Sequence, residues 1–251
     1  SASDSSVPGS SFLLLWVQLP VTRSAPGQPW IRVRTRPDSG GGTFWPARQG
    51  YRPGMKALTI NCTLKASPAT SNTEALATVV ADEIQQAGVE TGLVRAVDHN
   101  ILPGVSNDEG EGDGWPAVLD RVRAAQILII ATPTWLGQPS SVAKRVLERM
   151  DALISETDDE GVPFAYGRVA GVVVTGNEDG AHHVISEISG SLIDIGYTIP
   201  GQAWTYWNRG PGPGDDYLSN EAGHDWSHET GKTAARNLLT AARSLEGAWS
   251  G

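Results

Sequence analysis

Residues 55–86, MKALTINCTLKASPATSNTEALATVVADEIQQ, read as a strand, a hydroxyl-rich loop and an amphipathic helix in immediate succession. Ala57, Leu58, Ile60 and Cys62, with β-branched Thr59, form a short apolar run typical of a strand covered on both faces. Ser71 and Asn72 are good N-cap residues, and Glu74 falls in the first turn, where the helix dipole favours a carboxylate. Leu76, Val79, Val80, Ile84 and Ala87 then recur at helical spacing until Gly88 ends the helix. The connecting segment holds Asn61, Thr63, Lys65, Ser67, Thr70, Ser71 and Thr73, and no glycine. A Walker loop needs glycines and a Gly-Lys-Ser/Thr ending, and the dinucleotide fingerprint needs three glycines, so both are excluded. Hydroxyls and N–H groups at a helix N-terminus suit one terminal phosphate monoester. An ordinary capped turn would carry the same residue types.

Downstream, the pattern of strand followed by helix repeats. Residues 90–97 alternate as a second strand, 98–114 form a polar loop and 115–124 a short helix. Residues 126–131, QILIIA, are the most hydrophobic strand and belong at the centre of a parallel sheet. A loop follows over 132–139, then a helix over 140–155 with Val142, Val146, Leu147, Met150 and Ile154 on one face. A fourth strand is expected over 169–175, a helix over 181–195, a fifth strand over 197–204 and a closing helix over 230–245. Five strands alternating with five helices through short crossovers predict a doubly wound parallel α/β sheet with helices on both faces. Ligands in such sheets lie at the carboxyl ends of the strands.

Residues 1–54 break the pattern: no Lys or Glu, one Ile, seven Pro, seven Gly and eight Ser. They read as an N-terminal appendage, disordered or a non-native leader, ahead of a domain over 55–251, although Trp16, Trp30 and Trp45 would also suit a segment draped over the body. Six Arg and two Asp give this stretch a net charge of +4, against −9 for the whole chain, which leaves −13 on the remainder. So acidic a body repels a phosphate backbone, and no nucleic-acid partner is expected. The single cysteine, Cys62, permits no internal disulfide and reads as a buried thiol. There is no apolar run of 18 residues, and the apolar stretch 12–19 follows Asp4 rather than a basic region. The expectation is a cytoplasmic protein without a membrane partner.

Two loops add chemistry at the same sheet edge. Thr132-Pro133-Thr134-Trp135-Leu136-Gly137 pairs an aromatic with a constrained backbone, and Thr175-Gly176-Asn177-Glu178-Asp179-Gly180 is equally tight. Together they can hold a flat heterocycle between an aromatic and rigid peptide groups. A receiver domain would need acidic residues where this chain has Asn61 and Thr132. His224, His228 and Glu229 offer metal-ligand spacing without a third placed ligand, and no metal is expected.

On these residues the chain resembles the flavodoxin-like NADPH-dependent FMN reductase family, over about 55–245. The matching pieces are the 67–73 loop, the stretch from Pro133 to Gly137 with Lys144 downstream, and the 175–180 turn. The resemblance implies a five-stranded sheet of order 2-1-3-4-5 and binding of FMN. Ser67, Ser71, Asn72 and Thr73, with Thr63 and Lys65 of the same loop, would hold the phosphate. Pro133, Thr134, Trp135, Leu136 and Gly137 would line the isoalloxazine, and Thr175, Gly176, Asn177 and Gly180 would close its other side. Trp135 stands where the family commonly has Tyr, Glu148-Arg149 replaces its usual Asp-Arg, and the loop lacks the usual Arg, with only Lys65 nearby.

The implied activity is an FMN-dependent oxidoreductase that takes hydride from a reduced nicotinamide, NADPH by the family name, and passes it to a small acceptor such as a flavin or quinone. No acid–base triad is required, because the flavin carries the chemistry. The alternatives are a flavodoxin-type electron carrier without substrate turnover and a flavin-free protein that keeps only the fold. A homodimer or homotetramer is expected. Residues 205–229 are too long for a plain connection and hold Tyr206, Trp207, Tyr217 and Trp226. They are expected to fold over the flavin, with Trp207 lining the substrate pocket and Arg209 supplying positive charge.

Overall fold

The computed structural model describes residues 54–212 and 214–248. The expectations for residues 1–53 lie outside the described residues. Among the described residues the chain runs β1 (Lys56–Asn61), α1 (Asn72–Gln86), β2 (Glu90–Arg95), α2 (Trp115–Ala124), β3 (Ile127–Trp135), β4 (Gln138–Pro139), α3 (Ser141–Met150), β5 (Val169–Gly176), α4 (Ala181–Ile195), β6 (Trp204–Asn208) and α5 (His224–Leu245). The sheet order is β2-β1-β3-β5-β6, all parallel, with the two-residue β4 folded back antiparallel on β3. With β4 set aside this is the 2-1-3-4-5 order expected of a flavodoxin-like fold.

Alternate strand residues feed two cores, as the period of two requires. Leu58, Ile60, Leu128, Ile130, Val172 and Val174 pack against α2, α3 and α4. Ala57, Ile127, Ile129, Val169 and Val173 pack against α1 and α5. Burial on both faces explains why β3 and β5 read as continuous apolar runs rather than alternating ones.

Four boundaries differ from the sequence reading, each for a local reason. Strand β3 continues through Thr132-Pro133-Thr134-Trp135 instead of ending at Ala131. It turns at Leu136 and Gly137, both at positive φ (52° and 71°), into β4. Positive φ at both central residues is the twist-matched geometry of a two-residue hairpin. The helix expected over 140–155 tightens after Met150 into a 3₁₀ turn, Asp151–Ser155. The fifth parallel strand occupies Trp204–Asn208 rather than 197–204. Pro200 lacks the N–H a ladder needs, so Thr198 makes only an isolated bridge to Val169 before the chain turns through Gln202 at φ 55°. Finally α5 begins at His224, behind Gly223 at φ 83°, two turns earlier than its apolar periodicity shows. The expected 25-residue segment thus shrinks to a loop over 209–223 that carries a 3₁₀ turn, Tyr217–Ser219.

Candidate functional site

The strand registers bring Asn61, Pro133, Thr175 and Asn208 to one edge of the sheet: Asn61 pairs with Ala131 and Arg95, Pro133 with Thr175, and Gly176 with Asn208. A cleft of about 310 Å³ opens there. One end is built by α1. Ser71 caps the helix, its Oγ accepting from Glu74 N–H at 3.1 Å, and the N–H groups of Asn72 and Thr73 have no acceptor within the helix. Fully buried Asn61 ties the strand end to that cap through Nδ2 to Ser71 Oγ (3.3 Å) and to a Glu74 carboxylate oxygen (2.8 Å), while its Oδ1 accepts from Thr63 N–H.

The loop is braced from behind by a residue the sequence reading passed over. Arg95, at the end of β2, donates through Nε and Nη2 to Glu74 at 3.1 and 2.6 Å and through Nη1 to the carbonyls of Lys65 and Ala69. Arg95 thus acts as a scaffold for the loop, with its guanidinium committed to Glu74 and the two carbonyls. Lys65 is exposed and forms no ion pair with the described residues, which leaves its ammonium for an anion.

The other end of the cleft lies between Pro133, Thr134 and Trp135 on one side and Thr175, Gly176 and Asn177 on the other. Thr73 and Thr175 are joined by a 2.7 Å hydroxyl pair that holds the two ends at a fixed spacing. Thr134 is 1% exposed, and its hydroxyl meets no partner among the described residues. Trp135 is 48% exposed at the rim.

Thr63, Lys65, Asn72, Thr73, Pro133, Thr134, Trp135, Thr175, Gly176 and Asn177 thus converge on one cleft. The other expected site residues are placed elsewhere. Ser67 turns outward, its N–H and hydroxyl both bonded to the Asp98 carboxylate at 2.8 and 2.5 Å; those two bonds hold Asp98 below the usual carboxylate range. Ser71 is consumed by the cap. Leu136, 91% exposed, is the tip of the hairpin rather than its wall. Gly137 and Gly180 shape the site without lining it: a Cβ on Gly180, at φ 112°, would lie 2.7 Å from Gly137 Cα, so the hairpin and the 175–180 turn touch backbone to backbone. Trp207, expected at the substrate pocket, is not part of the cleft lining. It is 3% exposed beneath α5, packed on Tyr217 and His224, with Nε1–H donating to the Ala222 carbonyl at 2.7 Å. Its inward direction follows from the alternation of β6, in which Thr205 and Trp207 are buried. Arg209 is exposed beside Gly214 and outside the cleft lining.

The 209–223 loop does reach the cleft, through Asp216 and Tyr217. Tyr217 was among the aromatics that marked this segment in the sequence, whereas Asp216 sits in a Pro- and Gly-rich stretch without periodicity and carried no signal. Tyr217 packs against His224 and His228, which repeat at i, i+4 on α5, a spacing visible in the sequence but read there only as a metal possibility. Among the described residues no group of three His, Cys, Asp or Glu side chains could hold a metal ion.

A loop with N–H and hydroxyl donors at a helix N-terminus, continuous with a flat slot at the switch in strand order, fits a monophosphate joined to a planar ring. The model of a family described as NADPH-dependent FMN reductase matches residues 55–207. The chain belongs to this family. Relatives of this FMN reductase family member include the 8-demethyl-8-aminoriboflavin-5'-phosphate synthase of Streptomyces davaonensis, 37% identical over 66% of this chain and 68% of that protein. The divalent metal cation transporter MntH of Mycobacterium bovis is 41% identical over 76% of this chain, but the match spans 29% of that protein's length. No helix among the described residues is long and apolar enough to cross a membrane. Among solved structures, RosB with the bound intermediate 8-demethyl-8-formylriboflavin-5'-phosphate superposes with a TM-score of 0.71 at 33% identity, covering 76% of this chain and 80% of that one. A flavone reductase, at TM-score 0.54 and 15% identity over 76% of this chain and 64% of that one, shares the fold. The family match and the RosB superposition agree on a flavodoxin-like member of the FMN reductase family, although the chain spans only 29% of the length of the MntH relative.

Proposed function

We propose that the protein binds FMN, takes reducing equivalents from a reduced nicotinamide and passes them to a small acceptor such as a flavin or quinone. The observation that carries this reading is the orphaned Thr134 hydroxyl, buried in a slot that runs directly into a donor-rich helix N-terminus. Lys65, the amide of Asn72 and the α1 N–H groups would hold the phosphate. Pro133, Trp135 and the Thr175–Gly176 backbone would flank the ring, beside the buried, unpartnered Thr134 hydroxyl. Bound flavin would supply the two-electron chemistry, so the chain's own task is to orient the reactants and exclude water. The acidic body suits a small acceptor better than a nucleic acid.

FMN added to apoprotein is expected to lose its fluorescence with a one-to-one endpoint, and mixing with NADPH under nitrogen to bleach the flavin absorbance. Tighter binding of FAD than FMN, or no quenching, overturns the reading. Bleaching by dithionite but not by NADPH leaves the flavodoxin-type carrier.

A second reading follows from two relatives, one named for synthesis of an aminoriboflavin phosphate and one holding a formylriboflavin phosphate. Here the flavin monophosphate is the substrate rather than the resident cofactor. Mass spectrometry of the flavin recovered after turnover separates them: an unchanged mass supports the cofactor role, and a changed ring substituent supports the substrate role.

A further inference from the structure

Two histidines one turn apart at the start of α5 hold a single tyrosine of the cleft wall. His224 Nε2 lies 2.8 Å from the Tyr217 carbonyl oxygen, and its ring stacks on the phenol with centroids 4.1 Å apart and planes at 25°. His228 Nε2 lies 2.7 Å from the Tyr217 hydroxyl, and Trp207 closes on the same ring edge-on at 5.6 Å. Tyr217 is thus held at its carbonyl, its ring face and its hydroxyl. The next N–H, that of Leu218, donates to Asn72 Oδ1 at 3.2 Å across 146 positions of sequence.

This bond decides which way the Asn72 amide faces. A backbone N–H has no lone pair to accept with, so the amide atom toward Leu218 must be the oxygen, and the Nδ2 donors must face the other way. Asn72 stands in the first turn of α1 and lines the cleft, and its Nδ2 has no partner among the described residues. The reversed amide would present a lone-pair oxygen to the anion end of the site, in a wall that already carries the Asp216 carboxylate. We propose that Tyr217, clamped by His224 and His228, is a positioning residue for phosphate recognition, acting through Leu218 to turn the Asn72 amide so that Nδ2 donates to the flavin's terminal phosphate. The proposal rests on the flavin reading and names a determinant of FMN over riboflavin that lies outside the phosphate loop.

The readout is the ratio of FMN to riboflavin dissociation constants, measured by fluorescence quenching on protein whose thermal midpoint has been checked. Tyr217→Phe keeps the ring stack, loses the hydroxyl bond, and is expected to cut the preference for FMN by about threefold to tenfold. His228→Leu should match it, and His228→Gln, which can still bond the hydroxyl, should restore the preference. Asn72→Asp accepts Leu218 N–H as before but sets an anionic oxygen where Nδ2 stood, and should cut the preference by roughly a hundredfold. A carboxylate looks the same either way round, so adding Tyr217→Phe to Asn72→Asp should reduce the ratio no further. Equal losses of FMN and riboflavin in Tyr217→Phe, or multiplying effects in the double variant, overturn the positioning role while leaving the flavin reading intact. Binding of neither flavin by the native protein overturns both.

Discussion

Thr134 places a buried hydroxyl, without a hydrogen-bond partner among the described residues, in the wall of the cleft. A buried hydroxyl without a hydrogen bond costs about 1–3 kcal/mol, which a well-fitted fold does not spend without cause. Thr134→Val should therefore stabilise the ligand-free protein by about 1 kcal/mol and weaken flavin binding, seen as opposite shifts of the thermal midpoint without and with FMN. A rise under both conditions would show the hydroxyl has no role toward ligand. Asp113 and Arg149 show the opposite arrangement: their side chains are both out of solvent and 2.7 Å apart, with the guanidinium also donating to the carbonyls of Leu102 and Ser106 and lying 5.7 Å from the Trp115 ring centroid. Asp113 accepts further from the N–H groups of Leu102, Glu109 and Trp115. Burial alone would raise its pKa, but the Arg149 bond and the three backbone donors outweigh burial and hold it well below the usual carboxylate range. Asp113→Ala leaves a buried guanidinium without its counter-ion and is expected to cost about 3–5 kcal/mol in urea unfolding.

Among the elements, the β3–β4 hairpin and the 175–180 turn act as one unit. Gly137 N–H donates to Glu178 at 3.3 Å, Gln138 contacts His183 at 3.0 Å, and Lys144 pairs with Glu187 on the neighbouring α4. The Gly137–Gly180 approach leaves no room for a side chain. Gly180→Ala combines a 2.7 Å backbone clash with an unfavourable φ, so a loss of roughly 1–3 kcal/mol is expected together with a wider slot and weaker flavin binding. Native midpoint and affinity in that variant would show that the two loops are not a rigid frame. Loop 209–223 is fastened at both ends: Arg209 and Gly214 N–H donate to the Gly176 and Asn177 carbonyls at 3.0 and 2.7 Å, and side chains of α1 and α5 hold its Tyr217–Leu218 portion.

At the scale of the molecule, two electrostatic consequences follow. Because Asp113 has a depressed pKa in the folded state, its contribution is fully present above the ordinary carboxylate value of about 3.9 and is lost as pH falls below it toward the folded value. The thermal midpoint should drop on acidification through that window, and Asp113→Asn should show a lower midpoint at neutral pH with a shallower acid limb. An acid limb unchanged in the variant would assign the pH dependence to other carboxylates. The chain beyond residue 54 carries −13, so an anionic donor approaches against its field. Flavin reduction by NADPH is then expected to accelerate roughly twofold or more as salt rises from about 10 to 150 mM, because screening removes the repulsion. A rate that falls with salt would indicate that local cations such as Lys65 and Arg209 govern the approach.

The sequence by itself determined the alternation of buried strands with helices and the capped start of α1, and the family resemblance it carries implied the strand order. Strands buried on both faces appear as unbroken apolar runs, and the capped start of α1 depends on Ser71 and Glu74, which lie within one turn of each other. Such local physics is legible because the interacting groups are close in the chain. Tertiary structure alone decided which of the candidate residues meet. Ser67 was drawn away by Asp98, Trp207 was turned inward by the register of β6, Arg95 came from a neighbouring strand to brace the loop, and Tyr217 was carried to the cleft by two histidines of α5. Each of these outcomes rests on a contact between segments distant in sequence, whose partners compete for the same donors and the same space, and no local pattern records which partner wins.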